Sequence, residues 1–75
     1  MKPSKVLDII KDVLEGEVKI TLKSGKEFTY DNGTDDEATI EAGDVLKLSI
    51  ETELNKWQII YIDCDDISAI CFETN

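Results

Sequence analysis

The only segment in which hydrophobic residues recur at helical spacing lies near the start of the chain. Between Lys5 and Glu15, apolar residues return every three or four positions and charged residues fill the positions between them. This is the pattern of an amphipathic helix. Ser4 is placed to cap its N-terminus, and Gly16 is placed to end it in the left-handed conformation. We therefore predict a helix over residues 4–15 that covers part of a β core.

After Gly16 the hydrophobic period changes to two, which is the period of a β-strand. The first three segments with this period have one apolar and one polar face, as half-buried strands do. In the last two, from Trp57 onward, large apolar side chains occupy both faces, so both strands need cover on two sides. The predicted strands are residues 17–23, 26–31, 45–51, 57–62 and 67–72.

Two acidic segments connect these strands. Residues 31–44 are rich in turn formers and are predicted to form a charged loop, with Ile40 against the core. The loop begins like a calcium loop, but Asp36 stands at the position of the glycine and Ala42 at that of the bidentate glutamate, so no metal site is expected. Residues 63–66 are predicted to form a tight turn that one of its aspartates caps.

These elements predict a single mainly β domain over residues 1–75. An N-terminal helix of about residues 4–15 precedes five short strands, as in an SH3-like small barrel of about residues 17–73. No linker, repeat or low-complexity tract divides the chain. A chain of 75 residues is close to the smallest that an apolar core stabilises unaided, so we expect little spare stability.

The charge of the chain narrows the range of functions. Seventeen carboxylates against eight lysines give a net charge of −9, and there is no arginine or histidine. Such a surface repels nucleic acid, and the side chains most used in acid–base catalysis and metal binding are missing. Cys64 and Cys71 do not have zinc-site spacing and have no histidine to activate a thiol. We predict no enzymatic activity, metal or cofactor, and a partner protein with a basic surface.

The sequence contains no signal for export or for membrane insertion. The first residues lack the apolar region of a signal peptide, and the longest apolar runs are far shorter than the about 20 residues of a membrane span. We therefore expect a cytoplasmic protein with reduced cysteines and no membrane partner.

Two stretches of the chain resemble the Sm-like family of small barrels, which includes the bacterial RNA chaperone Hfq. Residues 16–28 are similar to the first Sm motif, in which an alternating strand runs into a glycine-containing turn. Residues 61–70 are similar in rhythm to the closing motif of Hfq. The resemblance implies subunits that form a ring by pairing the fourth strand of one with the fifth strand of the next. The interface this implies consists of Trp57, Ile59, Tyr61, Ile70 and Phe72.

The resemblance does not include the RNA-binding residues of the family. Sm-like RNA binders keep an Asp/Asn pair near the third strand, where this chain has the mostly apolar residues 46–50. They also keep an Arg-Gly or Lys-His element before the last strand, where this chain has residues 63–66, three of which are aspartates. An RNA site is therefore not implied, and the only basic cluster that could contact phosphates is Lys19, Lys23 and Lys26.

Three functional hypotheses remain. The first is an acidic protein-interaction module that docks on a basic partner, for example as an inhibitor of the kind that small phage-encoded counter-defence proteins represent. The second is an Sm-like RNA-binding oligomer, and the third is a structural or assembly subunit without a ligand. We expect self-association because two strands are apolar on both faces. For the first hypothesis, the predicted partner-binding residues are Asp35, Asp36, Glu37, Glu41, Asp63, Asp65 and Asp66.

Overall fold

The structure is a computed structural model that describes residues 1–13 and 15–73. It is mainly β, with one N-terminal helix and two antiparallel three-stranded sheets. Sheet A has the strand order β2-β1-β6 and sheet B the order β3-β4-β5. The elements are α1 (Pro3–Lys11), β1 (Gly16–Leu22), β2 (Glu27–Asn32), β3 (Glu37–Glu41), β4 (Val45–Glu53), β5 (Lys56–Asp63), a 3₁₀ turn (Cys64–Asp66) and β6 (Ile67–Phe72).

The helix is shorter than the sequence pattern predicts, and its ends are different. Lys2, not Ser4, occupies the N-cap position and makes no side-chain cap, and Pro3 begins the helix. Proline is favoured there because its missing N–H would have no partner in the first turn. The helix ends at Lys11, where the N–H of Val13 bonds the carbonyl of Ile10 in a tightened last turn. Leu14, which the pattern placed in the helix, lies outside the described residues.

A contact with sheet A holds the chain just after the end of α1. The side-chain amide of Asn32, at the end of β2, donates a hydrogen bond to the carbonyl of Val13. Val13 is itself buried in the core. This bond ties the segment that follows α1 to sheet A, ahead of Gly16, which has a positive φ at the start of β1.

All five predicted strands are present, with bounds within two residues of those predicted, but a sixth strand replaces part of the predicted loop. This strand, β3, pairs with β4 so that Ala38 faces Leu48 and Ile40 faces Leu46. Ile40 packs against the core, as predicted. The prediction of a loop was wrong because the strand has only two inward residues, and the acidic residues on either side of them, Glu37 and Glu41, are typical of a solvated segment.

The core lies between the two sheets and the helix. The central strands β1 and β4 contribute their inward residues, and α1, which packs against β3, contributes Val6. Each fully buried aliphatic side chain of this kind stabilises the fold by about 1.5–3 kcal/mol through removal of apolar surface from water. The buried residues are Val6, Val13, Val18, Ile20, Tyr30, Leu46, Leu48, Ile62, Cys64 and Ile67.

Tyr30 provides a test of how polar groups are accommodated in this core. Its hydroxyl is buried and has no hydrogen-bond partner among the described residues, and burial raises its pKa to about 12. Since a buried hydroxyl without a partner costs about 1–3 kcal/mol, Tyr30→Phe should raise the free energy of unfolding by about 1 kcal/mol at neutral pH.

The same substitution has an expected pH dependence. In the unfolded chain Tyr30 has the ordinary tyrosine pKa of about 10. As the pH rises, the unfolded protein therefore loses this proton before the folded protein does. Wild-type stability should therefore fall as the pH rises from about 10 to 12, and Tyr30→Phe should lack that part of the decline. Urea unfolding at several pH values measures both effects, and a destabilised Tyr30→Phe protein would contradict the absence of a partner.

Candidate functional site

The outer face of sheet B carries six of the fifteen sequence-predicted site residues, more than any other face of the two sheets. The pairing of β3 with β4 and of β4 with β5 places outward residues in rows across the three strands. One row is Glu37, Ser49 and Ile59, and the next is Thr39, Lys47 and Tyr61. The last row is Glu41, Val45 and Asp63. Of the inward residues between them, Leu46, Leu48 and Ile62 are buried.

Along β5 the outward residues form an exposed apolar row, here called the β5 row: Trp57, Ile59 and Tyr61. Their exposed fractions are 44%, 45% and 64%. Strand β5 pairs with β4 alone among the described strands, so it forms an edge of sheet B. A contiguous apolar row on an edge strand is unusual because it offers a site for association with another chain.

The five residues predicted to form an oligomer interface therefore divide into two groups. The three on β5 are exposed, whereas Ile70 and Phe72 on β6 are half-buried and pack against the core. Strand β6 is also an edge, since it pairs only with β1 among the described strands. The two-sided apolar pattern thus has different causes in β5, where the outer face is uncovered, and β6, where the inner face completes sheet A.

The seven predicted partner-binding carboxylates lie at opposite ends of sheet B. The first acidic end comprises Asp35, Asp36 and Glu37, at the turn into β3. The second acidic end comprises Glu41 and Asp63, which flank Val45 on the outer face, together with Asp65 and Asp66 in the 3₁₀ turn. The sequence did not indicate that the carboxylates divide into two groups, because the division depends on the strand register. For the same reason, it did not indicate that Glu51 lies with the first group and Asp44 with the second.

Asp36 has a structural role at the first acidic end. Its Oδ2 accepts a hydrogen bond from the N–H of Asp31 at 3.0 Å, and its Oδ1 accepts one from the N–H of Glu51 at 2.9 Å. It therefore joins the end of β2 to β4. These residues, with Thr34 and Asp35, line an open cavity of about 360 Å³. No group of acidic, histidine or cysteine residues with the arrangement of a metal site occurs in the described part of the chain.

Asp63 has the corresponding role at the second acidic end. Its side chain accepts a hydrogen bond from the N–H of Asp65 at 3.0 Å and so caps the 3₁₀ turn, as the sequence predicts for one of these aspartates. The turn is also held by the amino group of Met1, which donates to the carbonyl of Cys64 at 2.8 Å. All four carboxylates of this end, including Asp65 and Asp66, are exposed and within reach of a partner.

Cys64 and Cys71 have different environments, which gives a testable difference in reactivity. Cys64 is buried, and burial together with the nearby carboxylate of Asp44 raises the pKa of its thiol. Cys71 is exposed on β6. Because the thiolate is the reactive form, we expect a disulfide reagent to modify Cys71 rapidly in the folded protein and Cys64 only after unfolding. Two rapidly reacting thiols, or a rapidly reacting Cys71→Ser variant, would contradict this assignment.

The basic cluster of the RNA hypothesis lies on sheet A and in its β1–β2 turn, away from the outer face of sheet B. Two of its three lysines have partners within the chain. Lys19 forms a salt bridge with Glu27 at 3.5 Å, and the Lys26 ammonium lies 5.2 Å from the centre of the Phe28 ring. Lys23 is exposed in the turn. A phosphate would therefore have to compete for two of the three cations.

None of the seven predicted partner-binding carboxylates forms a salt bridge with a described residue. The two salt bridges found in the described ranges join Lys19 to Glu27 and Lys56 to Glu53. The negative charge at both ends of sheet B is thus not neutralised by neighbouring lysines. Among the described residues, no helix has the length and apolar character needed to cross a lipid bilayer.

Comparison of the chain with protein-family models, curated proteins and solved structures gives no match of any of the three kinds. The resemblance to the Sm-like family therefore stays a hypothesis, and no family assignment is supported.

Proposed function

We propose that this protein is a small acidic protein-interaction module that binds a basic surface of another protein. The observation that carries the proposal is that the carboxylates at both ends of sheet B have no cationic partner among the described residues. Charges of this kind speed encounter with a basic partner and select against acidic ones. An inhibitor that occupies the nucleic-acid site of its target is one form that such a module would take.

The seven carboxylates have different parts in this proposal. Asp36 and Asp63 hold backbone N–H groups, so we assign them the positioning of the two acidic ends. The exposed Asp35, Glu37, Glu41, Asp65 and Asp66 are the groups for direct contact, and the variant tested below replaces Asp35, Glu37, Glu41 and Asp65. Replacing these four by Asn or Gln changes the net charge from −9 to −5, since each substitution removes one negative charge.

A capture experiment with a matched control tests the proposal. The control variant carries Asn or Gln at four exposed carboxylates outside sheet B, which gives the same net charge. Proteins captured from lysate on the wild type should be released as salt rises, since charges beyond a Debye length of roughly 8 Å are screened at physiological ionic strength. For a captured partner, the sheet B variant should bind about tenfold more weakly than the control variant. The control carboxylates are Asp8, Asp12, Glu15 and Glu17.

Equal affinity of the two variants would contradict the assignment of the acidic ends. Capture of no partner, with a stable homo-oligomer, would instead favour a structural or assembly subunit. Labelled RNA tested at low and moderate salt addresses the RNA-binding alternative. We expect weak binding at low salt and none at moderate salt, because the net charge opposes it and the few phosphate contacts available depend steeply on salt.

A second candidate is an Sm-like barrel that self-associates, and one feature of the topology favours it. If β2 and β3 are counted as one long strand interrupted at residues 33–36, the chain has five strands and a 3₁₀ turn before the last, as in the Sm-like arrangement. Strands β5 and β6 are then the two available edges. Pairing them between subunits would give a ring or a dimer.

This candidate predicts a mass greater than that of one chain. Light scattering at tens of micromolar should then give a multiple of 8.4 kDa, and Tyr61→Lys should reduce it to one chain without unfolding the protein, because Tyr61 is exposed. A wild-type mass of one chain over this concentration range would exclude the ring and leave β5 free for another partner.

A further inference from the structure

We infer that the open edge of β5 receives an extended strand of the basic partner, so that the partner becomes the fourth strand of sheet B. This inference rests on the proposed function and names the kind of partner segment and how it binds. It goes beyond attraction between surfaces, because it requires hydrogen bonds between the backbone of β5 and that of the added strand. Addition of a strand to an exposed sheet edge is a known mode of peptide recognition.

The backbone of β5 is suited to this mode. In an antiparallel pair, every second residue directs its N–H and C=O groups toward the neighbouring strand, and the residues between them direct theirs to the other side. Strand β5 has β4 on one side and no described strand on the other. Its eight residues, Lys56–Asp63, form a long edge, and it contains no proline that would interrupt a new set of hydrogen bonds.

The β5 row supplies the side-chain contacts. Trp57, Ile59 and Tyr61 would each be directly opposite, or diagonal to, an outward residue of the added strand. These are aromatic and β-branched side chains, which make the most favourable cross-strand pairs. On the inner face, the added strand would cover Ile60, which is half-buried at the edge of the core. The row therefore selects a segment with apolar or β-branched residues at alternate positions.

The charges around the β5 row select the chemistry of the added strand. Glu51 lies opposite Trp57 at one end of the row, and Asp63 follows Tyr61 at the other. Lys47, opposite Tyr61, is the single lysine in the rows described above, and Lys56 is paired with Glu53. A strand with Lys or Arg at both ends would place one cation next to Asp63 on β5 and the other across Trp57 from Glu51 on β4.

The β5 row and Asp63 together set the pattern of the added strand. Residues 57 and 63 are six positions apart, which corresponds to about 20 Å along a strand. A matching segment therefore has three alternate apolar residues opposite the β5 row, a basic residue at the next alternate position, opposite Asp63, and a second basic residue beyond Trp57. A second copy of this chain fits less well than a basic strand, because it also carries a net charge of −9.

The test uses the full chain and a synthetic peptide, acetyl-KRVTVTVRK-amide. Trp57 is the only tryptophan and lies in the β5 row, so its emission reports directly on this edge. Binding should shift the emission to shorter wavelength and protect Trp57 from acrylamide. Hydrogen exchange should slow at amides of β5 but not at those of β2, the edge strand of sheet A on the side away from β6.

Two controls separate strand addition from attraction between charges. The first is the same peptide with N-methyl groups on its central valine and both threonines, which keeps its charge but removes backbone donors. The second compares Ile59→Ala and Tyr61→Ala with Leu54→Ala, an exposed apolar residue in the β4–β5 turn with 85% of its surface exposed. The first two should weaken peptide binding about tenfold, and Leu54→Ala should change it by less than about twofold.

The outcomes distinguish this inference from the proposed function. Slower exchange in β5 with the unmethylated peptide alone supports strand addition. Equal, salt-sensitive binding of both peptides without protection of β5 overturns it but leaves the acidic interaction module intact. Absence of peptide binding also overturns strand addition, both for a protein of one chain and for an oligomer that protects Trp57. In either of these last cases, the capture experiment with the acidic-end variants still decides the proposed function independently.

Discussion

Ile62→Ala is expected to lower the free energy of unfolding by about 2–5 kcal/mol, whereas Tyr61→Ala should change it by less than about 1 kcal/mol. The two residues are neighbours on β5 but point to opposite faces of sheet B. Ile62 is 3% exposed within the core and Tyr61 is 64% exposed on the outer face. A small domain has about 5 kcal/mol or somewhat more of total stability, so Ile62→Ala should remove a large part of it.

Urea denaturation followed by circular dichroism measures both changes, and the pair controls for position along the strand. The result depends on which face of β5 is covered in solution. If Tyr61→Ala cost as much as Ile62→Ala, the outer face would have to be buried, as in the self-associating ring. Repeating the measurement at two protein concentrations separates these cases, because only an oligomer has a concentration-dependent midpoint.

Asp36→Ala should lower the free energy of unfolding by about 1.5–3 kcal/mol, although Asp36 lies in a strongly acidic segment where loss of a negative charge would be expected to help. Its carboxylate accepts hydrogen bonds from the N–H groups of Asp31 and Glu51, and alanine would leave both donors without this partner. The adjacent Asp35 is exposed and is the matched control. Asp35→Ala should change the stability by less than about 0.5 kcal/mol.

Thermal and urea unfolding of the two variants, with Asp36→Asn as an intermediate case, checks this assignment. Asparagine retains one side-chain oxygen as an acceptor, so it should keep one of the two bonds and lose less stability than alanine. If neither Asp35→Ala nor Asp36→Ala changed the free energy of unfolding, the link that Asp36 makes between β2 and β4 would contribute nothing to stability. A binding study should therefore use Asp35, and not Asp36, to probe contact with a partner.

The strands that sequence reasoning located correctly are those whose pattern is carried by large side chains. In β1, Val18 and Ile20 alternate with Lys19 and Thr21, and the strand lies within one residue of its predicted bounds. In β3 the inward residues are only Ala38 and Ile40, so the alternation was too weak to see among the carboxylates. The two predictions of caps had different outcomes. The cap by an aspartate of residues 63–66 was confirmed, but the cap by Ser4 was wrong.

The candidate site was less accessible to sequence reasoning because it depends on contacts between distant residues. Asp36 and Glu51 are 15 positions apart, and no local pattern indicates that the carboxylate of one binds the N–H of the other. The opposition of Glu51 and Trp57 likewise depends on the register of β4 and β5. The sequence did predict that the connecting segments are rich in exposed carboxylates. It did not predict which of these carboxylates accept hydrogen bonds from backbone N–H groups.

The strand order also has a consequence for how the protein folds. Sheet B is a meander in which each strand pairs with the next along the chain, whereas sheet A requires β1 to pair with β6, as in the contact of Val18 with Phe72. The entropy cost of loop closure grows with the logarithm of loop length, and 72 − 18 = 54 positions separate these two residues. We expect the low-contact-order meander to form first and the docking of β6 to limit the folding rate. The surface proposed to bind a partner would then form before the core between the two sheets is complete.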